Sequence, residues 1–352
     1  MAYRVVQWTT GAVGRESLRG ILDHPDLELV GVKAYSDDKN GVDAGVLVGR
    51  DPVGVAATAD AGALLSGPVD CVLYTPRTPS VDEVCRILSS GANVVTTAFA
   101  FHPARTDGAD RDRLLAACRA GDSSLHGTGL NPGNLGAIIP LAMAGMCREI
   151  TQVRVQERAD WSLYDSVGIT FDQMLFGSPL ATVTADAPSL QYTSNLFRQQ
   201  VWLLGDALGA DLDEVTTDLE VIPATSDRDV FGRTLAAGTA AGQRWRWSGR
   251  REGRTVVEVE TLWVVGERQP AHWPKPQHGW TVTIEGAPSL QAHLVTLASF
   301  VRDVPMSEHV QSASVATAMQ AVNAVPAVCA AATGFVTMAD LPFVWNRRIA
   351  SS

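Results

Sequence analysis

Two kinds of chemistry can be read from residue types and spacing in this chain. The first is phosphate binding by a glycine turn, Thr9-Thr-Gly-Ala-Val-Gly14, set between the apolar run Tyr3-Arg-Val-Val-Gln-Trp8 and a helical pattern in which Leu18, Ile21 and Leu22 recur. Gly11 and Gly14 take the second and third glycine positions of a Gly-x-Gly-x-x-Gly fingerprint, and Thr9 stands where the first would be. A helix that starts just after Gly11 aims free backbone N–H groups and its positive end at whatever lies above the turn, which suits a pyrophosphate. Thr9, Thr10, Gly11, Ala12, Val13 and Gly14 are therefore the expected dinucleotide contacts at this turn; an ordinary strand-to-helix turn is the competing reading. The second chemistry is proton transfer. An imidazole suits proton transfer at neutral pH, which makes His102 a candidate; Tyr164 would polarise a carbonyl if its hydroxyl were made more acidic, and Asp160 lies close to it in the sequence.

The elements that must position these groups follow in order. Leu27-Glu-Leu-Val-Gly-Val-Lys33 completes a strand–helix–strand unit, and the loop after it, Ala34 to Gly41, is where an adenosine ribose would lie. An acidic residue at that strand end favours NAD, whereas a hydroxyl and a cation favour the 2′-phosphate of NADP. Ser36 and Lys39 point to NADP, and Asp37 and Asp38 leave NAD open. A short strand near Val53 to Ala56 and a helix near Asp60 to Leu65 lead to Val69-Asp-Cys-Val-Leu-Tyr-Thr-Pro76. That apolar run reads as a central parallel strand whose carboxyl end presents Tyr74 and Thr75 to the cofactor. After a helix over Ser80 to Ser89, the strand Asn93 to Thr97 runs into Ala98-Phe-Ala-Phe-His-Pro103, a wall on which Phe99 and Phe101 would pack an apolar substrate. A helix from Asp110 to Ala120 and the strand Ser123 to His126 lead to the turn Gly127 to Asn134, where Asn131, Pro132 and Gly133 would border the reacting carbon.

From Glu149 the pattern changes. Ile150 to Glu157, Thr255 to Val265 and Trp280 to Glu285 alternate as half-buried strands of a mostly antiparallel sheet, interrupted by a helix from Ser194 to Leu208. A helix over Ser312 to Ala324 and the tail Gly334 to Pro342 close the chain. The expected architecture is α/β: a doubly wound parallel sheet of the Rossmann type, plus an α+β second domain with a mostly antiparallel sheet. Residues 1–148 would form the dinucleotide-binding domain, with the C-terminal helix (about 310–352) packing back on it, and residues 149–309 the substrate and dimerisation domain.

Composition narrows the function. A net charge of −10 argues against nucleic acid or an anionic membrane as the main partner, because either needs a basic surface. Leu135 to Met146, the longest apolar segment, is too short to span a bilayer and contains Pro140, so it reads as a buried helix. The first residues enter a strand without a charged leader and apolar run, so no signal peptide is expected, and the five cysteines show no paired spacing, which points to a reducing cytoplasm. Neither Cys-x-x-Cys nor His-Glu-x-x-His occurs, so no metal site is expected.

Four motifs in order, Thr9-Thr-Gly-Ala-Val-Gly-Arg15, Tyr74-Thr-Pro76, Gly129-Leu-Asn-Pro-Gly133, and Val322-Asn-Ala-Val-Pro326 with Asp340-Leu-Pro342, resemble a known group over nearly the whole length. The chain resembles the actinobacterial dihydrodipicolinate reductase-like proteins, related to 2,4-diaminopentanoate dehydrogenase and the NAD(P)H-dependent amine dehydrogenases. The resemblance implies a Rossmann domain with an α+β domain, a homodimer, and hydride transfer between a nicotinamide and a carbonyl or imine carbon of a small molecule. It also exposes two departures. The histidine-rich, lysine-containing segment of true dihydrodipicolinate reductases is missing. The glutamate that the amine dehydrogenases are expected to carry after the strand corresponding to Asn93–Thr97 is also missing, since Ala98 to Pro103 holds no carboxylate. Two readings follow: an NAD(P)H-dependent oxidoreductase of a small, fairly apolar carbonyl, imine or amine compound, or a cofactor-binding sensor or assembly protein without chemistry.

Overall fold

The computed structural model describes residues 2–106, 108–164 and 166–348. The chain divides into two compact units: Met1–Asn134 with Gln311–Ser352, and Leu135–Val310.

The first unit is built on a seven-stranded parallel sheet. Its strands are β1 (Tyr3–Trp8), β2 (Leu27–Lys33), β3 (Ala57–Thr58), β4 (Cys71–Tyr74), β5 (Asn93–Thr96) and β6 (Ser124–Gly127), with a last strand from the C-terminal tail. In space the order is the tail strand, β6, β5, β4, β1, β2, β3, the doubly wound Rossmann arrangement. Successive residues of the central strands feed opposite faces. Val5, Cys71, Leu73 and Val95 pack with the C-terminal helix, whereas Val6, Val72, Tyr74 and Val94 pack on the other side.

Helix α1 (Ala12–Asp23) follows β1, and the short helices α2 (Ala44–Leu47) and α3 (Ala61–Leu65) flank β3. Asp43 caps α2, accepting from the N–H of Gly45 at 2.7 Å, and Asp60 caps α3. Helix α4 (Val81–Ser89) begins at a Ser80 cap and buries Val84, Ile87 and Leu88 beside α5 (Gly108–Gly121). The strand read near Val53 to Ala56 falls instead at Ala57–Thr58, because pairing with Val32 and Lys33 of β2 sets its register.

The second unit has a six-stranded mixed sheet. After helix α6 (Ile139–Ala144) come β7 (Glu149–Asp160), helix α7 (Pro188–Ala207), β8 (Glu214–Pro223), a two-stranded ribbon of β9 (Arg228–Val230) and β10 (Arg233–Leu235), then β11 (Ala240–Arg251), β12 (Arg254–Val264), β13 (Gly279–Ala287) and β14 (Leu290–Leu294). The order β14-β13-β7-β12-β11-β8 is antiparallel except for the parallel pair β7–β12. One face carries Val153, Val155, Trp245, Trp247, Val257, Val259, Val282 and Ile284 in a core with Phe197 and Val201 of α7. Helix α7 starts six residues before the expected Ser194, at Pro188, whose missing N–H is harmless in a first turn.

The helix α8 (Met306–Cys329) buries Ala318, Ala321, Val322, Val325 and Val328 on the first sheet. It runs through Pro326 to Cys329, beyond the expected end at Ala324. The tail then supplies β15 (Gly334–Phe335), parallel to β6.

Candidate active site

The carboxyl edge of the parallel sheet gathers the ends of β1, β2, β4, β5 and β6, where open α/β sheets bind their ligands. At the end of β1, Thr9 has φ +86°, a left-handed backbone that a β-branched residue adopts only under constraint. The constraint is visible. Gln7, fully buried, donates through Nε2 to the Thr9 carbonyl at 3.0 Å and to Thr75 Oγ1 at 2.9 Å. The two threonine hydroxyls lie 3.1 Å apart, and the Thr9 N–H donates to the Lys33 carbonyl at 3.0 Å. Thr9 thus takes the conformation that the first fingerprint glycine would reach without strain, and side chains of β1 and β4 hold it there.

Gly14 is needed for packing: a Cβ would lie 2.4 Å from the Thr9 carbonyl oxygen and 3.2 Å from Thr75 Oγ1. Gly11 meets nothing within 4 Å, so it borders open space at the helix start. No side chain caps α1 and no acidic residue occupies its first turn, so the N–H groups of Ala12, Val13 and Gly14 and the positive end of the helix stand ready for an anion. These residues fit the pyrophosphate they were expected to hold.

At the end of β2, Ser36 is exposed and Lys39 places its Nζ 3.4 Å from the Thr10 carbonyl, beside the glycine turn. Sequence reasoning passed over Lys33 and Glu83. Lys33 is buried, donates to the Ala34 carbonyl at 2.9 Å and sits 4.2 Å from the centre of the Tyr35 ring; burial lowers its pKa. Tyr35 accepts from the indole N–H of Trp8 at 3.2 Å and donates to Glu83 Oε2 at 2.6 Å. The Tyr74 hydroxyl donates to the same oxygen at 2.9 Å and accepts from the Ser80 N–H. Desolvation raises both tyrosine pKa values. Tyr74, expected to reach the cofactor, is fully buried with its hydroxyl engaged in this network, and Thr75 is engaged by Gln7 and Thr9.

The segment after β5 lies close against β6. A Cβ on Gly127 would come within 2.3 Å of the Ala100 carbonyl oxygen and 2.4 Å of that of Phe99, so glycine allows the close approach. Phe101 and His102 are buried here, and Phe99 packs partly on the core beneath. Beyond β6, Thr128 is fully buried and its hydroxyl has no hydrogen-bond partner among the described residues. Asn131, Pro132 and Gly133 form the turn at this edge, with Gly133 at φ +146°, and the neighbouring Asn134 donates to Gln320 of α8 at 3.0 Å. His126 is buried with Nδ1 2.8 Å from the Val336 carbonyl, and desolvation pushes its pKa down to about 4.

In the second unit the expected proton donors are placed differently. Asp160 accepts from the N–H groups of Ser162 at 2.9 Å and Gly266 at 2.8 Å, so its carboxylate caps a turn. Tyr164 needs a lowered pKa to polarise a carbonyl, but desolvation raises it. Its ring lies 5.0 Å from that of Trp161. Glu157, three residues before Asp160 in β7, accepts from two tryptophans: Trp263 Nε1 at 2.8 Å and Trp280 Nε1 at 3.0 Å. No group of three or more potential metal-ligating side chains occurs among the described residues. No helix among them is long and apolar enough to cross a membrane.

Comparisons with known proteins agree with this architecture. The family model of the 2,4-diaminopentanoate dehydrogenase C-terminal domain matches residues 137–348. An amine dehydrogenase of Streptomyces virginiae is 30% identical over 81% of this chain and 83% of its own length. A 2,4-diaminopentanoate dehydrogenase of Acetoanaerobium sticklandii is 24% identical over 62% of this chain and 57% of its own. Among solved structures, the amine dehydrogenase of Mycobacterium smegmatis superposes with a TM-score of 0.78 at 24% identity, covering 98% of this chain and 97% of that one.

Proposed function

We propose that this chain, which belongs to the 2,4-diaminopentanoate dehydrogenase family and is an NAD(P)-dependent oxidoreductase, prefers NADP and acts on a small, fairly apolar amine or its imine or carbonyl counterpart. The observation that carries the cofactor assignment is the cradle at the start of α1. Uncapped N–H groups face open space at Gly11, and Lys39 stands beside Thr10 at the ribose end. A bound nicotinamide supplies or accepts the hydride. Thr9 and Gly14 shape the turn for the pyrophosphate, Ser36 and Lys39 meet the 2′-phosphate, and Asn131 to Gly133 border the reacting carbon. Phe99 and Phe101 offer the apolar wall that keeps water out. His102 is the proton-transfer group of this reading, because desolvation raises the pKa of Tyr164 and its hydroxyl keeps its proton.

The partner we propose is a second copy of the chain. The face of the six-stranded sheet opposite α7 carries Arg154, Arg244 and Arg246 among Asp218, Glu220, Glu258 and Glu260, a pattern of both signs suited to self-pairing. The five cysteines are free, which supports a reducing cytoplasm as the working compartment.

The test is a titration of the purified protein with NADPH and NADH, followed by turnover of ketones and aldehydes with and without ammonium, monitored by absorbance of the reduced cofactor. Tighter binding of NADPH and turnover of an apolar carbonyl are the expected result. Binding without turnover on any carbonyl would favour a sensor, and equal affinity for the two cofactors would remove the NADP assignment.

A further inference from the structure

The carboxyl end of β1 is buried, and Gln7 lies there among apolar neighbours: Val6 and Trp8 along the strand, Leu73 of β4 and Val32 of β2 beside it. Its side chain is fully buried, a costly place for an amide unless its hydrogen bonds are made. Half of them are. Nε2 donates to the Thr9 carbonyl at 3.0 Å and to Thr75 Oγ1 at 2.9 Å, and lies 3.4 Å from the Trp8 carbonyl. Oε1 is buried with no hydrogen-bond partner among the described residues. Turning the amide over would set Oε1 against the Thr9 carbonyl oxygen, so only this orientation makes the bond.

A second cost sits at the same turn. Thr9 has φ +86°, a setting that a β-branched residue takes only when its surroundings impose it. Backbone strain beside an unsatisfied buried acceptor is retained in a fold where it serves a ligand clamp. What it achieves here is the direction of one carbonyl. The Thr9 oxygen is turned into the fold: it accepts from Gln7 and lies 2.4 Å from where a Cβ on Gly14 would be. Turned the other way, its negative end would meet the anion that the uncapped N–H groups of Ala12, Val13 and Gly14 attract. Glycine at this position would hold the same backbone without help. Threonine needs the amide.

We propose that Gln7 is a positioning residue for the cofactor: its amide, braced by Thr75, stands in for the missing first glycine of the fingerprint by keeping the Thr9 carbonyl away from the pyrophosphate. This rests on the dinucleotide-binding reading of the same turn. Gln7 is too deeply buried to touch the cofactor and acts through Thr9.

The experiment is a double-mutant cycle on the full chain, read by isothermal titration calorimetry of NADPH and of ADP-ribose, which carries the pyrophosphate without the nicotinamide. Gln7→Met keeps the length of the side chain and removes the donor. In the unmodified background it should weaken both ligands about tenfold, the reach of one hydrogen bond. In the Thr9→Gly background the same substitution should cost no more than about twofold, because glycine needs no brace. A general loss of packing would weaken binding equally in both backgrounds. Equal losses in the two backgrounds, or no loss in the first, therefore overturn the proposal. If Gln7→Met fails to fold, Thr75→Val, which takes away the hydroxyl between Gln7 and Thr9, goes through the same cycle, with a smaller loss that Thr9→Gly again relieves. The two probes separate this proposal from the reading beneath it. ADP-ribose binding that shows the coupling, without NADPH binding, leaves Gln7 in its role and sinks the oxidoreductase reading. NADPH binding and turnover without the coupling sink the role of Gln7 alone, and binding of neither probe to the unmodified chain overturns both.

Discussion

In the parallel-sheet unit, Glu83 receives two phenolic hydroxyls on one oxygen; in the mixed-sheet unit, Glu157 receives two indole N–H groups, one on each oxygen. Both are single carboxylates among large aromatic side chains, but their settings differ. Glu83 lies in the first turn of α4, where the helix dipole favours its charge, and it ties β2 to β4 through Tyr35 and Tyr74. Glu157 lies on a strand, beside the buried Thr261, whose hydroxyl has no hydrogen-bond partner among the described residues. The first arrangement uses the carboxylate to hold the fold together. The second holds a carboxylate between two tryptophans on the inner side of the mixed sheet.

That contrast is sharpest in stability. Removing the acceptor in Glu83→Ala leaves the buried Tyr74 hydroxyl and the half-exposed Tyr35 hydroxyl without their carboxylate. The expected loss is about 3 kcal/mol, from about 1–3 kcal/mol for each unsatisfied group, with Tyr35 at the low end because water reaches it. Urea denaturation would show a lower midpoint at unchanged slope. Glu157→Gln keeps an acceptor for one indole and should cost clearly less. If the two variants lose equal stability, the helical and the strand setting of the carboxylate do not differ in what they contribute.

The glycine turn gives the next largest effect. In Gly14→Ala the new methyl must displace the Thr9 carbonyl from 2.4 Å, and Thr9 is pinned by Gln7 and Thr75. We expect about 1–3 kcal/mol of destabilisation, typical of overpacking, together with weakened cofactor binding. Gly11→Ala meets no protein atom, so stability should hold while cofactor affinity falls. A thermal melt and an NADPH titration on both variants separate packing from binding.

These details mark what was legible in the sequence. The strand–turn–helix and the alternating strands could be read because each is encoded within a few neighbouring residues. The Glu83 network could not, since Tyr35 and Glu83 are 48 residues apart and meet only after β2 and β4 take their places beside β1. Asp160 was read as an acid because its cap on Gly266 joins residues 106 apart. The tail strand β15 is two residues long, too short for periodicity to reveal, and exists because β6 offers it an edge. Glu157 breaks an apolar alternation, which is visible in the sequence; its two indole partners are not.

A buried base separates the units again, this time through pH. His126 has its pKa lowered by desolvation to about 4, against about 6.5 when unfolded. Between these values the unfolded chain takes up a proton that the folded chain refuses. Stability is therefore fully present above about pH 6.5 and is lost as pH falls towards about 4, by up to about 3 kcal/mol for a shift of this size. His126→Gln, which keeps a donor for the Val336 carbonyl, should flatten that slope in urea titrations between pH 4 and 7. An unchanged slope would assign the acid sensitivity elsewhere, for instance to His24, whose pKa burial also lowers.

The smallest expected effect concerns Lys39, and it tests the cofactor end of the first unit against its structural core. Lys33 and Lys39 both belong to the end of β2, but Lys33 is buried against Tyr35 while Lys39 reaches the rim of the turn at Thr10. Lys39 makes one long hydrogen bond within the fold, so Lys39→Ala should leave the melting temperature nearly unchanged. A cation meeting a 2′-phosphate at a half-exposed site contributes about 1 kcal/mol, so NADPH should bind several-fold more weakly and NADH as before. A selective loss for NADPH places the phosphate at this rim. Equal losses for both cofactors would instead mean that Lys39 acts through Thr10 on the pyrophosphate turn, and the preference for NADP would then have to come from Ser36.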